Sequence, residues 1–152
     1  MKTITRRAAL TGAAYSSLAL TGSLTDFISA AHAENAVMTA PQAHKAAMDK
    51  KLVFIDIRTK EEWQKTGIAT SAHPVSMHQK GFLQKLDKLI GGDKSKKIAL
   101  ICATGSRSAY IQGELIKRGY SNAISVAEGM LGGPNGKGWI PRGLPTKKID
   151  TN

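Results

Sequence analysis

A single cysteine, Cys102, is followed within six residues by a glycine, an arginine and a serine. Gly105 can adopt backbone angles that other residues avoid, so the N–H groups of this loop can converge on one point and bind an anion. Arg107 can add a full charge or brace the loop, and the helix predicted to begin at Ser108 adds the positive end of its dipole. These effects favour the thiolate, which is the nucleophilic form of cysteine. The pattern therefore indicates nucleophilic chemistry at Cys102.

Plain alternatives exist for two of these residues. A cysteine at the end of a buried strand is often only a small core residue, and Arg107 could be a surface ion-pair partner. As the only cysteine in the chain, Cys102 cannot form an internal disulfide. The spacing of Gly105 and Arg107 behind the cysteine favours a nucleophile over packing alone.

The elements around this loop follow from hydrophobic patterning. A continuous β-branched and aromatic run predicts a buried parallel strand over residues 52–57. Residues 97–102 are predicted as a second buried strand and 123–126 as a third short one, and Val75 with Met77 indicates another short strand. Helical patterns cover residues 40–48, 60–65 with Thr59 as N-cap, 82–90 and 108–118. Strands alternating with helices predict one α/β domain, with a central, mainly parallel β-sheet flanked by helices on both faces. Cys102 then lies at the carboxyl end of a central strand, where such sheets bind their ligands.

Length and charge narrow the class of protein. The chain has 152 residues, enough for one compact domain, and its formal net charge is +11, which favours anionic partners without deciding which anion. The basic residues are scattered and are not interleaved with aromatic ones, so a nucleic-acid partner is disfavoured. The lysines in residues 94–97 are expected to form a solvated turn.

Residues 1–33 have the plan of a secretory signal peptide. Arg6 and Arg7 precede a weakly apolar stretch, which ends in an A-x-A site with cleavage expected after Ala33. The paired arginines with Leu10 resemble the twin-arginine export motif, although Ala9 stands where phenylalanine is usual. This predicts a periplasmic protein whose domain spans residues 34–152. An amphipathic helix and an organellar transit peptide are the alternatives, and the stretch is too polar for a stable membrane anchor.

The run Cys102-Ala103-Thr104-Gly105-Ser106-Arg107-Ser108 resembles the active-site loop of the rhodanese family, Cys-x-x-Gly-x-Arg followed by Ser or Thr. Further similarities span about residues 39–146: Asp56-Ile57-Arg58 with Glu61-Glu62-Trp63, Gly119-Tyr120, residues 128–133, Trp139 and Gly143-Leu144-Pro145. The sequence departs from the family at residues 66–72, where a frequent histidine is missing, which concerns local packing.

The resemblance implies a sulfurtransferase in which Cys102 is the catalytic residue. It would attack the outer sulfur of a small anionic donor such as thiosulfate, release sulfite and hold a persulfide. The family's loop residues would bind the donor, and in this sequence they are Ala103, Thr104, Gly105, Ser106, Arg107 and Ser108. An external thiol, cyanide or a protein would accept the sulfur, without metal or organic cofactor. Two successive displacements predict ping-pong kinetics.

Two other functions remain open. A phosphatase or arsenate reductase also places a cysteine and an arginine around an oxyanion, but with five residues between them, whereas Cys102 and Arg107 enclose four. Alternatively, the domain is a persulfide carrier or binding module for a partner protein, with little activity on free thiosulfate. Residues 129–138, rich in glycine, could dock such a partner or could be only a long loop.

Other polar residues are given structural roles. Asp56 and Arg58 could act as an acid–base pair, but a charged pair at a strand end usually ties the strand to its neighbours. His44, His73 and His78 show no metal-binding spacing, so a zinc site is disfavoured and solvent exposure is expected for all three.

Overall fold

The computed structural model describes residues 36–149, so the predicted signal peptide lies outside the described residues. The strands in this range are β1 (Val37–Met38), β2 (Val53–Asp56), β3 (Ile68–Ala69), β4 (His73–Pro74), β5 (Ile98–Ile101), β6 (Ala123–Val126) and β7 (Thr146–Lys147). Five of them form one sheet in the order β1-β6-β5-β2-β4, and every neighbouring pair in it is parallel. β3 and β7 form a separate antiparallel pair.

The helices between residues 36 and 149 are α1 (Ala40–Met48), α2 (Lys60–Thr66), α3 (Phe82–Ile90) and α4 (Ser106–Lys117). α1 and α2 begin with capping boxes, in which a threonine side chain and the side chain three residues later each bond the other's backbone N–H. α3 ends at Gly91, which adopts the left-handed conformation common after helices. None of these helices is long and apolar enough to span a membrane.

The sheet is covered on both faces. Alternate residues of β5 point to opposite sides, so Ile98 and Leu100 pack in one core cluster and Ala99 and Ile101 in the other. The first cluster includes side chains of α3 and α4. The second includes residues of α1 and the buried Trp139. The prediction of a central parallel sheet flanked by helices on both faces is confirmed.

Several element boundaries differ from the prediction. The short strand expected at Val75 and Met77 lies earlier in the chain, because β4 pairs with β2 at His73 and Pro74. Val75 and Met77 nevertheless donate backbone N–H groups to the carbonyls of Asp56 and Ile57, each at 3.0 Å, so they continue the contact beyond β4. The pairs formed by β1, β3 and β7 were not predicted.

A buried ion pair fixes the carboxyl end of β2. The Arg58 guanidinium donates to both carboxylate oxygens of Asp56, with Nη2 to Oδ2 at 2.7 Å. It also donates to Thr66 Oγ1 and the Gly67 carbonyl, and the Trp63 indole N–H completes the carboxylate's partners. Both charged side chains are almost fully buried. Their contacts tie β2 to α2, which agrees with the structural role expected for the pair.

Candidate active site

Cys102 follows β5 directly, between the carboxyl ends of β2 and β6. Its side chain exposes no surface to solvent. The Gly105 backbone N–H donates to Cys102 Sγ at 3.2 Å, so the loop turns back over the sulfur. A donor aimed at a sulfur atom stabilises negative charge on it. The loop therefore aims one backbone N–H at the sulfur, and the binding of an anion by the whole loop stays a prediction.

Gly105 makes this turn possible. It adopts φ +98°, a left-handed conformation, and a Cβ built on it would lie 1.9 Å from the carbonyl oxygen of Ala127. Residue 127 follows β6, so the loop is pressed against the neighbouring strand. Both conditions restrict this position to glycine.

The helix behind the loop begins earlier than predicted. Gly105 is the N-cap of α4, which starts at Ser106 instead of Ser108, and no side chain caps it. The first N–H groups of a helix lack intrahelical acceptors and carry the positive end of its dipole. Because Gly105 also bonds Sγ, this helix end is directed at Cys102. Ser108, expected to open the helix, is its third residue.

Ser108 is completely buried beneath the cysteine. Its hydroxyl donates to the Gly105 carbonyl at 2.8 Å and lies 2.8 Å from the hydroxyl of Ser125 on β6. The Cys102 thiol donates to Ser108 Oγ at 3.6 Å. Ser108 thus joins the cysteine, the loop and β6, and it contacts the sulfur from the protein interior.

Arg107 is paired with Glu62 of α2. Its two terminal nitrogens lie 2.9 Å and 2.5 Å from the two carboxylate oxygens of Glu62. The hydrogen bond from Arg107 is the main cause that lowers the pKa of Glu62 to about 2. The pKa of Arg107 is raised, first by the hydrogen bond with Glu62 and further by the charge of Cys102. The Arg107 guanidinium therefore interacts with the Glu62 carboxylate and with Cys102.

Residues 129–138 are expected to be a docking surface or only a long loop. The first residues of this segment form one wall of the site. The N–H groups of Met130 and Leu131 donate to the carbonyls of Cys102 and Ala103, each at 2.8 Å. A Cβ on Gly129 would lie 2.4 Å from the Ala103 oxygen, so this contact needs a glycine. Half of the Leu131 side chain is exposed beside the loop. Whether residues 129–138 dock a partner stays a prediction.

Glu128 holds the two ends of that segment together. Its carboxylate accepts from Arg142 Nε at 2.6 Å and Nη2 at 2.9 Å, and from the Gly138 backbone N–H at 2.9 Å. Glu128 itself is buried. These contacts hold the two ends of residues 129–138 at fixed positions.

The remaining residues of the predicted loop are distributed around its rim. Thr104 and Ser106 are exposed, Ala103 is partly buried, and Arg107 is about 30% exposed. Their assignment to donor binding stays a prediction, as does the catalytic role of Cys102.

The expectation of exposed histidines holds for two of three. His73 and His78 are exposed, but His44 is partly buried with its ring edge against Trp139, because α1 packs on that indole. Lys94 is more than a solvated residue, since it donates to the Arg118 carbonyl and lies over the Tyr120 ring. Within residues 36–149, no three His, Cys, Asp or Glu side chains come together as a metal site.

Sequence reasoning missed two contributors to this site. Ser125 appeared only as part of a strand, and nothing in its neighbourhood signals the bond to Ser108. Glu62 was noted within a motif, and its position three residues after Thr59 indicates a capping box. Its contact with Arg107 joins residues 45 positions apart, which no local pattern reports.

Comparisons with known proteins identify the family and the fold of this chain. Residues 39–132 match the family described as the rhodanese-like domain. The chain is 32% identical over 101 residues to a protein of Rickettsia conorii described as uncharacterized, covering 60% of this chain and 80% of that protein.

Two solved structures show the same fold. One is described as a polysulfide-sulfur transferase homodimer from Wolinella succinogenes, with a TM-score of 0.60 and 22% identity, covering 84% of this chain and 88% of that one. The other, from Rhodopseudomonas palustris, is described as a protein of unknown function and possible tyrosine phosphatase. It has a TM-score of 0.52 and 19% identity, covering 88% of this chain and all of that one.

Proposed function

Because this chain belongs to the rhodanese-like family, we propose that it is a sulfurtransferase that carries sulfane sulfur on Cys102. The observation that carries the proposal is the N–H of Gly105 donated to Cys102 Sγ at the uncapped start of α4. Preorganised donors of this kind stabilise charge that develops during a displacement. The positive end of the α4 dipole also suits a persulfide, whose negative charge lies on the terminal sulfur one bond beyond Sγ.

The proposed reaction has two displacements. The Cys102 thiolate attacks the outer sulfur of thiosulfate or a similar donor, forming a sulfur–sulfur bond while the bond to sulfite breaks and sulfite leaves with the electron pair. An external thiolate or cyanide then attacks the terminal sulfur of the persulfide, and Cys102 leaves as thiolate. The second attack must come from outside, since the chain has no other cysteine.

The burial of Cys102 restricts which donors fit. Because the side chain exposes no surface, a donor must present a slim terminal atom and displace the rim slightly. A sulfur atom with a single bond meets this requirement. Donors of the thiosulfate and polysulfide types both end in such an atom, and the name of the Wolinella succinogenes neighbour supports including the second type.

Steady-state kinetics test this proposal. Thiocyanate formation is measured while thiosulfate, or inorganic polysulfide in a parallel series, and cyanide are varied together. Ping-pong behaviour predicts parallel lines in double-reciprocal plots. Cys102→Ser should reduce the rate to background, whereas Glu114→Gln, at the exposed end of α4, should retain it. Intersecting lines, or activity in the cysteine variant, would contradict the proposal.

A persulfide carrier is the second candidate, and the complete burial of Cys102 favours it, because a docked partner could open the rim. It predicts that the persulfide forms on a single exposure to donor while turnover with cyanide stays slow. A protein acceptor that restores rapid turnover would then favour the carrier over the free enzyme.

Phosphatase activity is less well supported. Cys102 and Arg107 enclose only four residues, and both terminal nitrogens of Arg107 are engaged by Glu62, although bidentate recognition of a phosphate would need them. We therefore expect hydrolysis of p-nitrophenyl phosphate at the rate of the Cys102→Ser variant. A clear difference between the two would favour the phosphatase.

We also propose that the protein is exported to the periplasm through its twin-arginine-like leader. The support is the sequence of residues 1–33, with Arg6, Arg7 and the A-x-A site at Ala33. When the full-length precursor is expressed in a bacterial host, the periplasmic fraction should contain a processed protein with Glu34 as its first residue. Changing both arginines to lysine should keep the precursor inside the cell, and processing that is unaffected by the change would contradict this route.

A further inference from the structure

The pair between Glu62 and Arg107 connects a helix outside the site to the loop around Cys102. Glu62 lies in the first turn of α2 and Arg107 in the first turn of α4. The contact is bidentate, and the two side chains are only 28% and 30% exposed. Such a fork fixes the plane of a guanidinium as well as its distance.

The negative charge of Glu62 is not needed for its other contact. Its Oε2 accepts the Thr59 backbone N–H at 2.9 Å, as the second half of the capping box of α2. In α1 the same function is performed by Gln42, whose Oε1 accepts the Thr39 N–H at 2.9 Å. A neutral amide therefore suffices for the cap in this protein. The negative charge of the Glu62 carboxylate therefore acts in the ion pair with Arg107.

The other charged groups near this pair are already engaged. Arg58 also acts on the Glu62 carboxylate, but its donors are taken by Asp56, Thr66 and Gly67. Arg107 is the second residue of α4, behind the Gly105 N-cap whose N–H donates to Cys102 Sγ at 3.2 Å, and its charge interacts with Cys102. The orientation of this one guanidinium consequently depends on Glu62.

We propose that Glu62 is a positioning residue that holds the Arg107 guanidinium beside Cys102 and so maintains the thiolate. This inference rests on the proposed function, in which the thiolate is the nucleophile. Without its anchor, the long Arg107 side chain would turn toward solvent, because an unpaired, partly exposed arginine gains rotamer freedom and hydration. The sulfur would then lose a neighbouring positive charge.

The sign of the effect separates this role from two others. If Glu62 acted only through its own negative charge, removing that charge would favour the thiolate. If it only tied α2 to α4, its removal would change stability and leave the ionisation of the thiol unaltered. A positioning role predicts that removing the Glu62 charge leaves less thiolate at Cys102. This is the opposite of the charge effect, and a purely structural tie would leave the thiolate fraction unchanged.

The test is the pH profile of alkylation of the full chain by iodoacetamide, which reports on Cys102 alone because it is the only cysteine. Glu62→Gln keeps a side-chain oxygen that can accept the Thr59 N–H, as Gln42 does in α1. Its alkylation midpoint should rise by roughly one pH unit, corresponding to about tenfold less thiolate below the midpoint. Glu114→Gln, which removes an equivalent carboxylate from an arginine pair on α4, should leave the midpoint unchanged.

A second set of variants keeps the test decisive if Glu62→Gln folds poorly. Arg107→Gln should raise the midpoint similarly, and the double variant should raise it no further than Arg107→Gln alone. A midpoint that falls or stays constant in Glu62→Gln, or that rises additively in the double variant, would overturn the proposal. Alkylation requires no sulfur donor, so a failed transfer assay would contradict the proposed function and leave this result separate.

Discussion

Replacing Gly105 with alanine should destabilise the domain and disturb the thiolate together. The residue adopts φ +98°, and the new Cβ would meet the Ala127 carbonyl oxygen at 1.9 Å. The left-handed backbone alone costs about 1–2 kcal/mol for a residue with a Cβ. Relief of the overlap requires backbone movement, which costs about a further 1–3 kcal/mol. Gly105→Ala should therefore lower the free energy of unfolding by roughly 2–5 kcal/mol.

Two other glycines separate these contributions. Gly92 has φ +76° with nothing within 4 Å of its built Cβ, so Gly92→Ala should show the backbone cost alone, about 1–2 kcal/mol. Gly113 lies within α4, and its built Cβ also meets nothing within 4 Å. Gly113→Ala should stabilise the domain by about 0.5–1 kcal/mol, since alanine is the better helix former.

Urea unfolding of the four proteins measures these differences as shifts of the midpoint at constant slope. The expected order of stability is Gly113→Ala, wild type, Gly92→Ala and Gly105→Ala. The alkylation rate of Cys102 at neutral pH should fall only in Gly105→Ala, because that change displaces the N–H donated to Sγ. A Gly105→Ala protein as stable as Gly92→Ala, with normal alkylation, would refute the tight contact between the loop and Ala127.

Three further predictions concern groups away from the sulfur. The pKa of Glu62 is lowered from 4.5 to about 2 in the folded protein, so its contribution is complete above pH 4.5 and is lost as the pH falls toward 2. The stability of Glu62→Gln should consequently approach that of wild type in this acid range, and parallel acid profiles would contradict the ion pair. Burial, followed by the hydrogen bond to Asp87, raises the pKa of Tyr120 to about 12. Tyr120→Phe should therefore remove a phenol ionisation near pH 12 from an absorbance titration. An unchanged titration would contradict the assignment. Arg58→Met should cost about 3–5 kcal/mol of unfolding free energy, since it leaves the buried Asp56 carboxylate without its cation, and a loss under 1 kcal/mol in urea unfolding would show that the pair is dispensable.

The central elements of this fold could be predicted because their signals are local. The short, mainly apolar and β-branched segments of β2, β5 and β6 are bounded by polar turns and favour buried strands, and their predicted bounds differ from the structure by at most one residue at either end. The bounds of α1 are reproduced, since Thr39, Pro41 and the helical composition agree there. The position of Cys102 at the sheet edge follows from these elements.

The short strands could not be predicted, for a physical reason. β1, β3 and β7 contain two residues each, too few to show a period of two, and each is defined by a partner distant in the sequence. Their existence depends on the completed tertiary structure. The same holds for β4. Its pairing with β2 involves the exposed residues His73 and Pro74, which precede the apolar pair Val75 and Met77.

Two contacts of the site could not be predicted, because each of the residues involved also fits a simpler local role. Ser108 is a residue type that often begins helices, but the left-handed Gly105 already begins α4, so the serine hydroxyl is free to turn inward toward Ser125. Glu62 completes the capping box of α2, a local contact that does not indicate a second partner. Only the packing of α2 beside α4 brings it to Arg107.

The central claim, that Cys102 holds a transferable sulfur, is tested most directly by the intact mass of the purified protein. Exposure to thiosulfate should add the mass of one sulfur atom, and cyanide should remove it again. Cys102→Ala should show no addition, while Glu114→Gln should behave as wild type. No addition to the wild type from thiosulfate or polysulfide, or an equal addition to Cys102→Ala, would contradict the persulfide cycle.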